Sequence, residues 1–288
     1  MLLSLPLRCF LHLIFPADHL SAKKQLSHTG KHFRRYEILD GGKTIVLEPG
    51  IIGGEANRLL AAYKEKNGLK QQYKIGPDPS SIDACMIGGI VSNNSSGMCC
   101  GVAQNSYHTV RHLRIVFVDG SVLDTSDPTS VAEWSASHQH IIKAVSELAA
   151  RVQANTPLAS LIRKKFAIKC TTGYSINALV DFPADQPVEI IKRLMIGSEG
   201  TLGFVSRAIY NTVPEFPDKA SAFIMFPTLE DACEAARVLR EQTCVDAVEM
   251  FDRECLKGCE KNDEMLRLVK VIFFLCVYIS RVRNAPHA

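Results

Sequence analysis

Apolar and polar positions fall into regular periods from Tyr36 onward. Lys43 to Leu47 is a short apolar run ended by Glu48-Pro49-Gly50, which predicts a strand stopped by a turn. Glu55 to Lys66 places Leu59, Leu60 and Tyr63 on one face, with Gly68 just beyond, and so reads as a helix with a glycine near its C-cap. Further on, Leu113 to Val118 and Val122 to Asp124 are joined by Asp119-Gly120-Ser121, a hairpin signal because Asp-Gly supplies the positive φ angles such turns use. Ser130-x-x-Glu133 fits a capping box opening one helix that carries Trp134, Ile141, Ile142, Val145, Leu148 and Val152. Pro187 can open a shorter helix with Ile190, Ile191, Leu194 and Met195 on its apolar side. Pro214 to Ala220 reads as a linker, after which Ser221 to Phe226 predicts a strand and Thr228 to Glu241 a helix with Ala232, Ala235, Val238 and Leu239 inward. Strand followed by helix is an α/β or α+β rhythm.

Totals narrow this picture. With 288 residues and 47% apolar composition, the chain can build one large or two ordinary domains around a sizeable core. Its net charge is +3, and residues 1–43 hold seven of the 33 basic residues against three of the 30 acids, so the remainder is nearly neutral. That argues against nucleic acid as a partner, which calls for clustered Lys and Arg near the site. Ten cysteines at irregular spacing, two of them adjacent at Cys99-Cys100, suit a reducing compartment better than a disulfide scaffold. Cys255 and Cys259 lack a comparable second pair, so no metal site is expected.

The two ends differ from the middle. Residues 1–15 are leucine-rich but interrupted by Pro6, Arg8 and His12, too short and too broken for a membrane span. Together with the basic residues through Arg35 they are compatible with a mitochondrial presequence or with a mis-assigned start, which leaves a cytoplasmic or mitochondrial location open. Val271 to Ile279 is an apolar run that also falls short of a span and reads as a buried strand.

Candidate chemistry lies in two glycine clusters. Gly76 to Gly101 is crowded with glycine, serine and asparagine and carries only two charged residues, Asp78 and Asp83. Gly88 and Gly89 let the main chain lie against a flat or anionic group, while Asn93, Asn94, Ser95 and Ser96 offer short polar arms. Gly197 to Gly203 (GSEGTLG) follows a helix and precedes a strand-like run. A dinucleotide fingerprint needs the opposite order, and no Gly-Lys-Ser/Thr closes either cluster, so the nicotinamide and P-loop readings both fail.

The order GPDPSSIDACMIGGIVSNNSSGMCCG, RIVFVDGSVLDT, TTGYSINAL and IGSEGTLGFV resembles the FAD-linked oxidases with a p-cresol methylhydroxylase-type flavin domain. It is most similar to the D-lactate and D-2-hydroxyglutarate dehydrogenases, especially long bacterial members with an iron-sulfur portion. The resemblance spans about Tyr36 to Leu256. It implies an α+β fold in which 1–35 is an atypical leading segment, 36–214 an FAD-binding domain with an incomplete first subdomain, 220–260 the start of an α/β cap domain and 261–288 an atypical tail. It further implies FAD as cofactor, a small 2-hydroxy acid such as D-lactate or D-2-hydroxyglutarate as substrate, oxidation to the 2-keto acid, and a separate electron acceptor.

By the same resemblance Pro79, Ser80, Ser81, Ile82, Asp83, Gly88 and Gly89 lie along the FAD, with Asn93, Asn94, Ser96 and Gly97 near its phosphates and ribityl chain. Gly197, Ser198, Glu199, Gly200, Thr201, Leu202 and Gly203 close over it. Asp83 and Glu199 also read as caps on neighbouring turns. Tyr174 is a weak catalytic candidate, since a lone tyrosine reads more often as a packed side chain with a satisfied hydroxyl. Cys170 stands where relatives carry asparagine. The family's pyrophosphate loop before Lys43 and the basic and metal-binding residues of its cap have no counterpart here, so a catalytically inactive fragment of such an enzyme is the alternative reading.

Overall fold

Backbone hydrogen bonding organises the chain as far as Pro214 around one antiparallel sheet. In the computed structural model, which describes residues 29–242, 245–251, 254 and 275–282, a short helix α1 (Thr29–His32) leads into β1 (Tyr36–Leu39) and β2 (Thr44–Leu47). Then come α2 (Gly53–Lys66), β3 (Gln72–Lys74), α3 (Ile87–Asn93), α4 (Ser106–Thr109), β4 (Val110–Val116) and β5 (Val122–Asp124). Five helices follow: α5 (Pro128–Ser137), α6 (Gln139–Ala154), α7 (Thr156–Phe166), α8 (Ala178–Asp181) and α9 (Pro187–Met195), before β6 (Phe204–Asn211) and β7 (Val213–Glu215). The main sheet has the order β1-β2-β6-β4-β5. The expected presequence or start at 1–15, Cys255 and Cys259 lie outside the described residues, and no described helix is long and apolar enough to cross a membrane.

Side-chain alternation explains which faces are buried. Ile45 and Leu47 of β2, Leu113 and Ile115 of β4, and Ala208 and Tyr210 of β6 are closed to solvent and join the core with Ile190 and Leu194 of α9. Tyr210 is wholly buried, yet its hydroxyl meets Ser106 Oγ at 2.8 Å, so the polar tip is satisfied; burial pushes the phenol well up.

The hairpin is shorter than its sequence suggests. β4 ends at Val116 and pairs with β5 as Arg114↔Asp124, Ile115↔Leu123 and Val116↔Val122. Phe117 to Ser121 forms the connection, in which Gly120 N–H donates to Phe117 O at 3.0 Å, Ser121 N–H donates to Asp119 Oδ1 at 2.9 Å, and Gly120 (φ +85°) takes the positive φ. The capping box at Ser130 does not form. Asp127 caps α5 by accepting from Thr129 N–H, and Pro128 occupies the first turn, while Ser130 Oγ accepts from Asp124 N–H instead. The single helix expected from Ser130 to Val152 is also two, broken at His138 (φ −118°, ψ 35°).

One bulge calls for a clamp. Val110 pairs with Tyr210 and His112 with Ile209, leaving Arg111 as the extra residue of β4. Its carbonyl accepts from Lys192 Nζ of α9 at 2.9 Å, and the neighbouring Arg193 donates to the carbonyls of Val110, at 3.0 Å, and Tyr107. Lys192 is buried and also pairs with Glu189 at 2.6 Å; burial lowers its pKa, and the carboxylate partly opposes that. The guanidinium of Arg193 sits 5.5 Å from the ring centres of Tyr107 and Phe182.

A second unit begins between Pro214 and Glu215. There β8 (Lys219–Phe226), α10 (Leu229–Gln242), β9 (Ala247–Phe251) and β10 (Leu275–Val282) form an antiparallel sheet of order β8-β10-β9 beside one helix. Thr228 caps α10, accepting from Asp231 N–H at 3.1 Å, and Ala232 is buried against Phe226, Leu239, Val245 and Val248. Residues 275–282, at the end of the apolar run and in the expected tail, supply the central strand.

Lys192→Ala is expected to lower stability by about 1–3 kcal/mol in urea unfolding, because the bulge carbonyl loses its buried donor.

Candidate functional site

The two glycine clusters meet at the end of α3. Helix ends leave carbonyls without intrahelical donors, and α3 stops at Asn94, which adopts the left-handed conformation (φ 55°). Gly197 N–H donates to Val91 O at 3.2 Å and Glu199 N–H to Ser92 O at 2.8 Å, so the second cluster satisfies the last turn of the first. Asn93 Nδ2 reaches the Glu199 carboxylate, and Asn94 Oδ1 accepts from Tyr107 N–H at 3.0 Å. Glu199 itself has φ 52°, a left-handed backbone rare for a side chain of its kind.

Between them lies a cleft of about 640 Å³. Gly88, Gly89 and Ser92 of α3 form one side and Glu199, Gly200 and Gly203 another. A third wall comes from the end of β4 and the turn after it, Val116, Phe117 and Val118, with Pro49, Met86, Phe204 and Val205 completing the lining. The glycines act mainly through shape. A Cβ on Gly88 would stand 2.8 Å from Pro49 Cβ and one on Gly203 3.0 Å from Val116 O, so these two allow close packing behind the cleft. Nothing would lie within 4 Å of a Cβ on Gly89 or Gly200, which leaves their faces open. Met86 and Val118 are exposed, giving the rim an apolar character suited to a flat ring system.

The expected donors are used differently. Gly88 N–H donates to Pro49 O, and Gly97 N–H to Asp78 Oδ1 at 3.0 Å. With the amides of Gly197 and Glu199, they build the site and are engaged within the chain. Asp78 also accepts from the amides of Cys99 and Cys100, each at 3.1 Å, so its carboxylate fills the concavity made by loop 97–100. The buried hydroxyls of Ser96 and Ser198 have no partner, but neither residue belongs to the cleft lining.

Pro79, Ser80, Ser81, Ile82 and Asp83 do not line the cleft. They form a turn against the start of α2, with Gly54 N–H donating to Ile82 O at 2.8 Å and Asp83 pairing with Arg58 at 3.0 Å. Leu202 is buried in the core, and Thr201 Oγ1 donates to Ser198 O and meets the Tyr174 hydroxyl at 2.7 Å. Tyr174 lies outside the cleft lining, and Cys170 Sγ is 3.5 Å from Thr172 Oγ1. The hairpin-turn wall was not foreseen from the sequence. The exposed apolar Val118 beside the turn is the one signal that could have pointed to it.

An open cradle, an apolar rim and a carboxylate able to accept from hydroxyls fit a ligand with a flat ring and a polyhydroxy portion. A match to a family model agrees. Residues 26–126 match the family described as FAD binding domain. The chain is 24% identical over 238 residues to a D-2-hydroxyglutarate dehydrogenase of Pantoea ananatis, covering 78% of this chain and 21% of that protein. It is 25% identical over 184 residues to one from Haemophilus influenzae, covering 59% of this chain and 16% of that protein. The chain therefore spans about a fifth or less of the length of these curated relatives. A solved alkyldihydroxyacetonephosphate synthase aligns with a TM-score of 0.49 at 15% identity, over 85% of this chain and 36% of that one.

Burial, with the Asp78 carboxylate adding to it, raises the Cys100 thiol from 9.0 to about 11. The folded chain holds this proton after the unfolded chain has released it. The resulting contribution to stability is therefore full below pH 9.0 and is lost as pH rises toward about 11. Peptide mapping after alkylation near pH 8 is expected to show Cys100 labelled only in denaturant. The denaturation midpoint of Cys100→Ala is expected to fall less steeply above pH 9 than that of the wild type.

Proposed function

With residues 26–126 an FAD binding domain of the FAD-linked oxidase kind and FAD the cofactor, we propose that the protein serves the oxidation of a D-2-hydroxy acid, D-2-hydroxyglutarate or D-lactate, to its 2-keto acid. The observation that carries the cofactor's position is the joining of both glycine clusters around one open cleft. When bound, FAD supplies a two-electron acceptor for the hydride leaving C2 of the hydroxy acid, the electrons then passing to a further acceptor. The chain's own residues do the holding. Gly89 and Gly200 admit the ligand's flat faces, Met86 and Val118 exclude water at the rim, and Glu199, set by Asn93 and by its own backbone bond to Ser92, accepts from ligand hydroxyls.

A second reading has an observation of its own. Among the described lining residues Glu199 is the only ionisable side chain, whereas a 2-hydroxy acid needs a cation for its carboxylate and a base for its hydroxyl proton. The chain would then hold FAD and depend on groups outside this lining for turnover.

Titration of FAD into the purified full chain, followed by quenching of flavin fluorescence, is expected to show saturable binding. Gly89→Leu, whose Cβ meets no atom within 4 Å and which adds helix propensity to α3, should weaken it by at least about tenfold with the thermal midpoint unchanged or raised. Wild-type-like FAD binding by this variant would remove the cleft as the site. Dye reduction with D-2-hydroxyglutarate or D-lactate by the FAD-loaded chain supports the first reading. FAD binding without turnover supports the second.

A further inference from the structure

The turn that forms the third wall of the cleft is held from behind by a stack of rings. Phe117 packs on Trp134 at 4.9 Å between ring centres, and Trp134 lies on His138 at 4.4 Å with the planes 8° apart. Trp134 Nε1 donates to Ser121 Oγ at 3.2 Å, and His138 Nε2 meets Asp119 Oδ2 at 3.0 Å. Thus residues 117, 119 and 121 all engage the junction between α5 and α6, while Val116, Phe117 and Val118 line the cleft, Phe117 belonging to both. A displacement of the junction is carried directly to the wall.

Hydrogen-bond chemistry makes this attachment firm. The carboxylate accepts only, so Nε2 carries a proton. Nδ1 is then satisfied in either protonation state, accepting from Ser137 Oγ at 2.9 Å or donating to Trp134 O at 3.0 Å. Partial burial works to raise the Asp119 carboxyl, but hydrogen bonds from His138 and Ser121 overcome it and hold it down to about 2, so it is ionised at neutral pH. The groups facing the imidazole are Asp119 on the turn, Ser137 and the Trp134 carbonyl on α5, and the His140 ring at 6.3 Å on α6. The break between α5 and α6 at His138 places the imidazole where it can reach both the indole and the turn.

We propose that His138 and Asp119 are positioning residues for the flavin cleft, fixing through the Trp134 stack the wall formed by Val116, Phe117 and Val118. This rests on the reading that FAD occupies the cleft. Neither residue touches the cleft space itself; they act by keeping the wall at one position so that binding does not have to order it.

Trp134 is the only tryptophan in the chain, so its emission reports the bracket without any ligand. In this chain, Asp119→Ala and His138→Ala are expected to change the Trp134 emission and to weaken FAD binding by about tenfold, the effect of losing one charge-assisted hydrogen bond. Asp119→Asn, which keeps an acceptor for the imidazole N–H, should recover most of the affinity. Equal loss in Asp119→Asn and Asp119→Ala, or wild-type FAD affinity in Asp119→Ala, would overturn the proposal. Should the wild type bind no FAD, the functional reading fails by itself. The bracket is then judged by hydrogen exchange of amides 117–121: faster exchange in Asp119→Ala supports it, and unchanged exchange overturns it.

Discussion

The site depends on one requirement of helix geometry: the carbonyls at the end of α3 must find donors. That of Ser92 finds its donor in Glu199, more than a hundred residues further along the chain, and that of Val91, already bonded to Asn94 N–H at 3.1 Å, takes a second from Gly197. Left-handed conformations at Asn94, Gly197, Glu199 and Gly200 are what let two reversing segments approach this closely. The cleft is the space left between two turns that complete each other. Its open faces, at Gly89 and Gly200, come from glycines whose missing side chains nothing else fills.

That junction needs a fixed platform. The second cluster is launched from α9, and α9 is held to the sheet by Lys192 and Arg193, which serve carbonyls at the start of β4 that lie at or beside its bulge. The two cations are stable there because the irregular strand offers them acceptors and Glu189 of the same helix pairs with Lys192. On the opposite wall, the Phe117, Trp134 and His138 rings do for the hairpin turn what α9 does for the glycine turn. Both walls are therefore rigid through contacts made outside the cleft, which suits the retention of a large ligand by shape.

Much of the fold was legible in the residues because its signals are local. Periodicity located α2, α9 and α10, and Gly120 with Asp119 located the hairpin. Ser130 misled because two caps competed: Asp127 beside Pro128 starts the helix three residues earlier, and the Ser130 hydroxyl turns to Asp124. The break at His138 was hidden because the apolar residues of α5 and α6 stay nearly in phase across it. Helix α7 passed unread. Within the site, both glycine clusters were apparent from composition, but the uses of their amides were not, since a sequence does not show that Asp78 fills loop 97–100 or that Val91 and Ser92 accept from Gly197 and Glu199.

The sequence alone determined many of the elements, the two glycine-rich clusters and their order along the chain, since these follow from side-chain period and from backbone freedom at single residues. Tertiary structure alone decided which of those residues face a common space. Pro79 to Asp83 belong to the same glycine-rich stretch as Gly88 and Gly89, yet they turn toward α2 and away from the cleft, whereas Val118 reaches it from another element. The physical reason is that a cleft is bounded by elements distant in the chain, brought together by donors and acceptors that each element leaves unpaired.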